Sequence, residues 1–243
     1  MQNNRANDKL RQTVKGGVPS PQQSPQSRQQ GPITRLFLVV LLDATQSMTP
    51  YIQAVLKALQ KMLDVLIDGA LDPSVGLVIF RDELEGEMPE IYEIGTSLPE
   101  LQKVLSQLNA IGGGSIPESS LPAIMEGISL LGRAKQGVPR VFLHITDAPP
   151  HDPEAGYTAR SVLKALKQAR VLFFACAPNE EPYRTFANVT GGTLFPLQEN
   201  LDSETFQDVL MAFAKATVKT VRMAETAISD DVQELLRNTR VNG

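Results

Sequence analysis

Seven consecutive apolar residues, Leu36 to Leu42 (LFLVVLL), open the patterned part of the chain. A strand that is apolar at every position has both faces buried, the state of a strand inside a parallel sheet. The same pattern returns in Val75–Phe80 (VGLVIF), Val141–Thr146 (VFLHIT) and Val171–Ala177 (VLFFACA). Between them the spacing changes. Ile52, Val55, Leu56, Leu59, Leu63, Leu66 and Ile67 fall on one face of a helix, with Thr49 as its cap, Pro50 at its first position, and Gly69 and Pro73 to stop it. Further helices are predicted to about Leu108 behind a capping box of Ser97 and Glu100, over about 118–132, over about 154–169 and over about 180–189. PEIYEI (89–94) alternates and predicts a short edge strand, and TLFPL after Gly191-Gly192 predicts another. A helix from about Ser203 to Met223 follows, then a second, more polar helix over about 229–238.

Strand and helix alternate throughout, which predicts an α/β fold: a doubly wound, mostly parallel central sheet flanked by helices on both faces. No internal repeat is visible. Residues 1–31 differ sharply from the rest of the chain. They are rich in Gln, Asn, Pro and Ser, and residues 1–30 carry Arg5, Lys9, Arg11, Lys15 and Arg28 against one acid, Asp8. So little apolar surface cannot offset the entropy of ordering, so a flexible basic arm is expected, either a solvated linker or a docking arm for an acidic partner. The expected layout is an arm (1–31), a folded domain (32–223) and a polar C-terminal helix or tail (224–243).

Composition narrows the function classes. Hydrophobic residues make up 42% and charged residues 21% of the 243, near the average for a soluble globular protein. The seven-residue apolar run is too short to span a bilayer, and no secretory leader is visible at the N-terminus, so a membrane association is not expected. The net charge of −4 argues against nucleic acid as a partner. One cysteine, Cys176, cannot form an internal disulfide, which suits a reducing, cytoplasmic setting. It lies in an apolar strand and reads as inert core.

In an open α/β sheet, ligands sit beyond the carboxyl ends of the strands. Three polar clusters are expected at that rim. LLDATQSM places Asp43, Thr45 and Ser47 after the first strand. ITDAPPHD places Asp147 after another. GGGSIPESS places Ser115 behind three glycines. Each residue also has a plainer reading: Asp43 as an N-terminal helix aspartate, Thr45 and Ser47 as turn hydroxyls, Ser115 as an ordinary turn residue. Together they offer two carboxylates and three hydroxyls. These are hard oxygen donors, suited to Mg2+ or Mn2+ and poorly suited to zinc or copper. His144, within a strand, reads as a satisfied core histidine. His151 reads as a loop hydrogen-bonder or a partner contact. Arg81, Asp82 and Glu83 read as a solvated loop or as part of a recognition surface. Phe206, Leu210 and Phe213 read as a docking stripe on the body of the domain.

Asp43-x-Thr45-x-Ser47-Met48, FRDE (80–83), GGGSIPE (112–118) and ITDAPPH (145–151) occur in an order that resembles the von Willebrand factor type A (VWA) domain. The resemblance covers roughly 35–200 and is strongest to the bacterial and extracellular-matrix branch with D-x-T-G-S-M and T-D-A-P-x-H motifs. It implies a doubly wound α/β fold with a metal-ion-dependent adhesion site at the top of the sheet. By position it implies Asp43, Thr45 and Ser47 as metal ligands, Asp147 as the distal aspartate acting through water, and Ser115 in place of the usual threonine or aspartate. Gln46 stands where glycine is common. The resemblance further implies a binding module, not an enzyme, whose ion is completed by a Glu or Asp of a protein partner in an intracellular multiprotein assembly. Two other readings stay open. A phosphoryl-transfer hydrolase of haloacid dehalogenase type would use Asp43 but needs an acid where Thr45 stands. A metal-free scaffold would carry a site made vestigial by Ser115.

Overall fold

The computed structural model describes residues 33–83, 86–112, 117–132, 137–197 and 202–241, with side chains to residue 227. The arm and Ser115 lie outside the described residues. The elements run β1 (Thr34–Asp43), a single 3-10 turn (Gln46–Met48), α1 (Thr49–Asp68), β2 (Leu71–Phe80), β3 (Glu90–Tyr92), α2 (Leu98–Gln107), α3 (Ser120–Gly132), β4 (Arg140–Ile145), α4 (Ala159–Ala169), β5 (Val171–Ala177), α5 (Tyr183–Thr190), β6 (Leu194–Pro196) and α6 (Ser203–Val241). They build the expected doubly wound α/β architecture. The six strands lie in the order β3-β2-β1-β4-β5-β6, parallel except for the antiparallel edge strand β3. Two buried layers cover the sheet. One joins α1, α2 and α6 to one face, and the other joins α3, α4 and α5 to the opposite face.

The apolar runs became the buried strands because each must fill both layers at once. In β1, Val40 and Leu42 pack into the first layer while Val39 and Leu41 pack into the second. Phe206, Leu210 and Phe213 do form the docking stripe of α6. All three are buried, with Phe206 edge-on to Tyr51 and Phe213 edge-on to Phe174.

Several local expectations are corrected. Pro73 does not stop α1 from outside the sheet. It lies within β2, which begins at Leu71 and pairs with β1 from Thr34↔Leu71 onward. Only Leu77–Ile79 are covered by β3, so Pro73 sits where β2 has no second neighbour to receive a ladder bond. Thr49 does not cap α1. Its hydroxyl donates to the Gln46 carbonyl instead, and the helix is entered through the 3-10 turn. Ser97 and Glu100 make no box at α2. A reciprocal box does open α4, where Thr158 accepts from the Ser161 N–H and Ser161 accepts from the Thr158 N–H. That cap fixes the start of α4 at Ala159, five residues later than about 154. The two C-terminal helices are one continuous helix, α6.

His144 is fully buried as expected, but it is not satisfied. Its ring stacks on Phe80 and leans against Phe173 and Tyr183, and both ring nitrogens lack a hydrogen-bond partner. Burial pushes its pKa from 6.5 down to about 3. The unfolded chain therefore takes up a proton that the fold refuses. The contribution of His144 to stability therefore falls as the pH drops below 6.5, by about 1.4 kcal/mol per unit until the folded value is reached. His144→Leu removes two orphaned nitrogens without costing a bond. It is expected to raise stability at neutral pH by about 1 kcal/mol and to flatten the acid loss, as read by urea melts across the pH range. A variant as acid-sensitive as the native chain would refute this account.

Candidate functional site

The strand order reverses between β1 and β4, which leave the sheet toward opposite layers, the switch point at which open α/β sheets place their ligands. Asp43 is the last residue of β1, with Leu42 opposite Ile145 of β4. Asp147 follows two residues after β4 ends. The chain turns sharply after Asp43. The Ala44 N–H donates to Phe80, Ala44 accepts from the Ile111 N–H, and Met48 closes the 3-10 turn onto Thr45.

The turn gathers the oxygens. Asp43 and Thr45 are buried, and Ser47 is exposed. The Asp43 Oδ1 accepts from the Thr45 N–H at 2.9 Å and the Thr45 hydroxyl at 2.7 Å. The Thr45 and Ser47 hydroxyls lie 3.3 Å apart. Ser47 donates to Asp147 Oδ1 at 3.1 Å, across a hundred residues of sequence. Four of the five anticipated positions thus form one row. The fifth, Ser115, lies outside the described residues, though Gly112 at the near end of its loop accepts a bond from the Gln46 N–H.

Thr146, which sequence reading passed over, holds the other side of Asp43. Its buried hydroxyl donates to Asp43 Oδ2 at 2.7 Å and accepts from the Ala148 N–H. Its only signal in the sequence was its place between a buried strand and Asp147. Burial raises the Asp43 carboxyl to about 6, against the lowering effect of the Thr146 and Thr45 hydrogen bonds, and the charge of Asp147 adds to the rise.

More acids surround the row than the motifs announced. Glu118, from the GGGSIPE motif, is buried with one carboxyl oxygen unpartnered. Burial raises its pKa to about 8, helped by the charges of Asp43, Asp82, Asp147 and Glu87, so it keeps its proton at neutral pH. Its backbone ties the rim together by donating to Pro149 and accepting from His151. Asp82 is not in a solvated loop but fully buried, 3.8 Å from His151 Nε2. Arg81 pairs with Glu90, and the Glu83 N–H donates to Ser119. Ser119 in turn donates to Glu154, which is buried. His151 bonds the rim through its backbone. Cys176 is buried in β5, and burial pushes its thiol well above the usual range.

The donor set suits a hard cation. Asp43, Thr45, Ser47 and Asp147 present only oxygen, in a crowded field of carboxylates, and among the described residues no lysine or arginine bonds the row. Among the described residues, no three His, Cys, Asp or Glu side chains group as a metal site of their own. No helix among the described residues is long and apolar enough to cross a membrane.

Two comparisons with known proteins bear on the family of the chain. The chain is similar to the Alpha-protein kinase vwkA of Dictyostelium discoideum, 28% identical over 122 residues. That match covers 48% of this chain and 19% of the relative, so the chain spans about a fifth of its length. The sequence profile of the von Willebrand factor A domain matches residues 37–199, more than half of the chain and every described residue of the rim. VWA domains generally mediate protein–protein interactions, and by this match the chain belongs to the von Willebrand factor A domain family.

Proposed function

We propose that this domain is a metal-dependent protein-binding module of an intracellular multiprotein assembly. Mg2+ or Mn2+ is held by Asp43, Thr45, Ser47, Asp147 and Ser115, and an Asp or Glu of the protein partner completes the shell. The observation that carries this reading is the hydrogen-bonded row from Asp43 through Thr45 and Ser47 to Asp147. A bound divalent ion supplies an electrophilic position that attracts a foreign carboxylate. Asp43 is locked by three donors and cannot swing away. Thr45 sets the turn, and the exposed Ser47 ends the row on the solvent side. The single buried cysteine is compatible with the intracellular setting.

Titrating Mg2+ or Mn2+ into the protein tests the reading. Binding raises the melting temperature by mass action, and no shift at millimolar ion would leave the metal-free scaffold. Thr146 acts as a positioning residue behind Asp43. Thr146→Val is expected to weaken the ion by about 10–100-fold in calorimetric titration while leaving the row itself intact.

One observation favours a second reading enough to test it. Glu118 is a buried carboxyl with one oxygen unpartnered, and the charge of Asp43 adds to the burial that raises its pKa, so an acid stands near Asp43 where the sequence alone offered only Thr45. Asp43 could then serve as the nucleophile of a phosphoryl-transfer hydrolase. Both of its carboxyl oxygens already accept hydrogen bonds, which blunts nucleophilicity. Turnover of an aryl phosphate that disappears in Asp43→Asn would replace the binding reading with this one.

A further inference from the structure

Helix α4 carries Arg160, Lys164 and Lys167 and no acid, and Arg170 follows in its left-handed C-cap. Positions 160, 164 and 167 share one face of the helix. Val162 and Leu166 are buried on the opposite face, and all four cations are exposed. Among the described residues, none of the four makes an ion pair or a side-chain hydrogen bond. Cations of other helices have acids beside them: Lys57 and Lys61 share α1 with Asp64 and Asp68, and Lys103 shares α2 with Glu100. Helix stability does not account for the stripe. Lys167 and Arg170 suit the negative C-terminal end of the helix dipole, but Arg160 stands in the first turn, where a cation is unfavourable. The stripe also runs against the charge of the body, since residues 31–243 carry 18 basic and 26 acidic residues. It begins at the rim. The Ala159 N–H donates at 3.2 Å to the carboxylate of Asp152, which lies five residues after Asp147. Pro150, Ala159, Arg160 and Pro182 line one open groove of about 390 Å3 there.

We infer that the outer face of α4 binds an acidic, extended segment of the protein partner, the same segment whose Asp or Glu reaches the ion. The inference rests on the metal-dependent reading of the rim. Charge complementarity selects this occupant. The ion takes one carboxylate and the unpaired cations of α4 take further ones, so both features ask for the same chemistry. The net negative charge of the rest of the body repels such a segment and confines it to α4. The reach fits. Asp147 and Pro150 are three residues apart, at most about 10 Å, and Arg160 to Lys167 spans about 10 Å of helix. An extended chain of about six to eight residues covers that path. A bilayer is a poor occupant, because the apolar face of α4 is spent on the core and has nothing left to insert. Exposed ion pairs are individually weak and screened by salt, so the stripe works through their number and by steering the partner to the rim.

Two short synthetic peptides, each made in both chain directions, test this by fluorescence polarisation on the full chain in Mg2+. Both carry one Glu at an end for the ion. One continues with several Asp and Glu, the other with Asn and Gln at the same positions. At about 50 mM salt the acidic peptide is expected to bind roughly tenfold more tightly, and that advantage is expected to shrink severalfold at about 300 mM. Arg160→Gln/Lys164→Gln/Lys167→Gln, folded by circular dichroism, is expected to erase the advantage and to keep the rise in melting temperature with Mg2+. Lys57→Gln/Lys61→Gln, which neutralises exposed cations of α1 on the other face of the sheet, is expected to leave the advantage in place. Equal binding of the two peptides, binding by neither at millimolar concentration, or equal losses in the two variants overturns the inference. An advantage that persists in chelator and disappears in the α4 variant sinks the metal reading and leaves the stripe standing. Tighter binding of duplex DNA or of phosphatidylserine vesicles than of the acidic peptide, lost in the α4 variant, would assign the stripe to phosphate groups and overturn the inference.

Discussion

Asp43→Asn is expected to stabilise the metal-free protein and to abolish its response to Mg2+. In the metal-free fold the Asp43 carboxyl is raised from 3.8 to about 6, chiefly by burial. A group whose folded pKa is raised stabilises the fold when protonated, and that contribution is lost as the pH rises through 6. At neutral pH the ionised, buried carboxylate therefore costs roughly 3 kcal/mol against its solvated state in the unfolded chain. Asparagine keeps a carbonyl for the Thr45 N–H and hydroxyl, and the Thr146 hydroxyl can rotate to accept from the new amide. The gap between variant and native chain should open between pH 3.8 and 6 and stay open above. In Mg2+ the gap should nearly close. An ion at a hundred times its dissociation constant adds about 2.7 kcal/mol to the native chain and nothing to a variant that cannot hold it. Thermal melts in chelator and in millimolar Mg2+ check both halves. Equal stabilisation of both proteins by Mg2+ would place the ion elsewhere.

The second large effect is structural. Gly192→Ala is expected to cost roughly 3 kcal/mol and to lower the melting temperature by roughly 6–12 °C. A Cβ at Gly192 would be driven into the backbone of Phe173, whose ring is fully buried in β5. The end of α5 is laced to that strand, since the Phe173 N–H donates to Thr190 and the Gly192 N–H donates to Ala187. Neither side can retreat without breaking a bond. The neighbouring Gly191 makes the control. Its φ is +80°, but a Cβ there meets only Leu172 at 3.6 Å. Gly191→Ala should cost about 1 kcal/mol, the penalty of the left-handed backbone alone. Equal losses at the two positions would refute the distinction.

The sheet was legible because continuous apolar runs such as LFLVVLL admit few environments other than a double-sided interior. The rim was legible as a set of aspartates that each follow such a run. What stayed hidden depends on contacts between distant residues. Nothing local distinguishes Thr146 from another turn hydroxyl, since its role comes from Asp43, 103 residues away. Asp82 read equally well as part of a solvated loop, and nothing local singled out Glu118 or Glu154; all three are buried only by contacts between distant segments. Pro73 read as a stop because its neighbours in the sheet cannot be seen along the chain. The true start of α4 was obscured because the Thr158–Ser161 box has a serine where glutamate is the familiar sign.

Arg222 of α6 donates to the carbonyls of Gly69 and Ala70 and to Thr34, and Glu225 also bonds Thr34. This clamp fastens α6 to the start of β1 and to the turn entering β2, at the pole of the domain opposite Asp43. The chain therefore enters the sheet at Thr34 and leaves the clamp after Arg222 on the same side. At about 1.5 Å per residue, the rest of α6 carries the backbone on for about 28 Å. Cargo tethered at either attachment point hangs from the floor of the domain, so fluorescent fusions or surface immobilisation there leave the Asp43 rim clear.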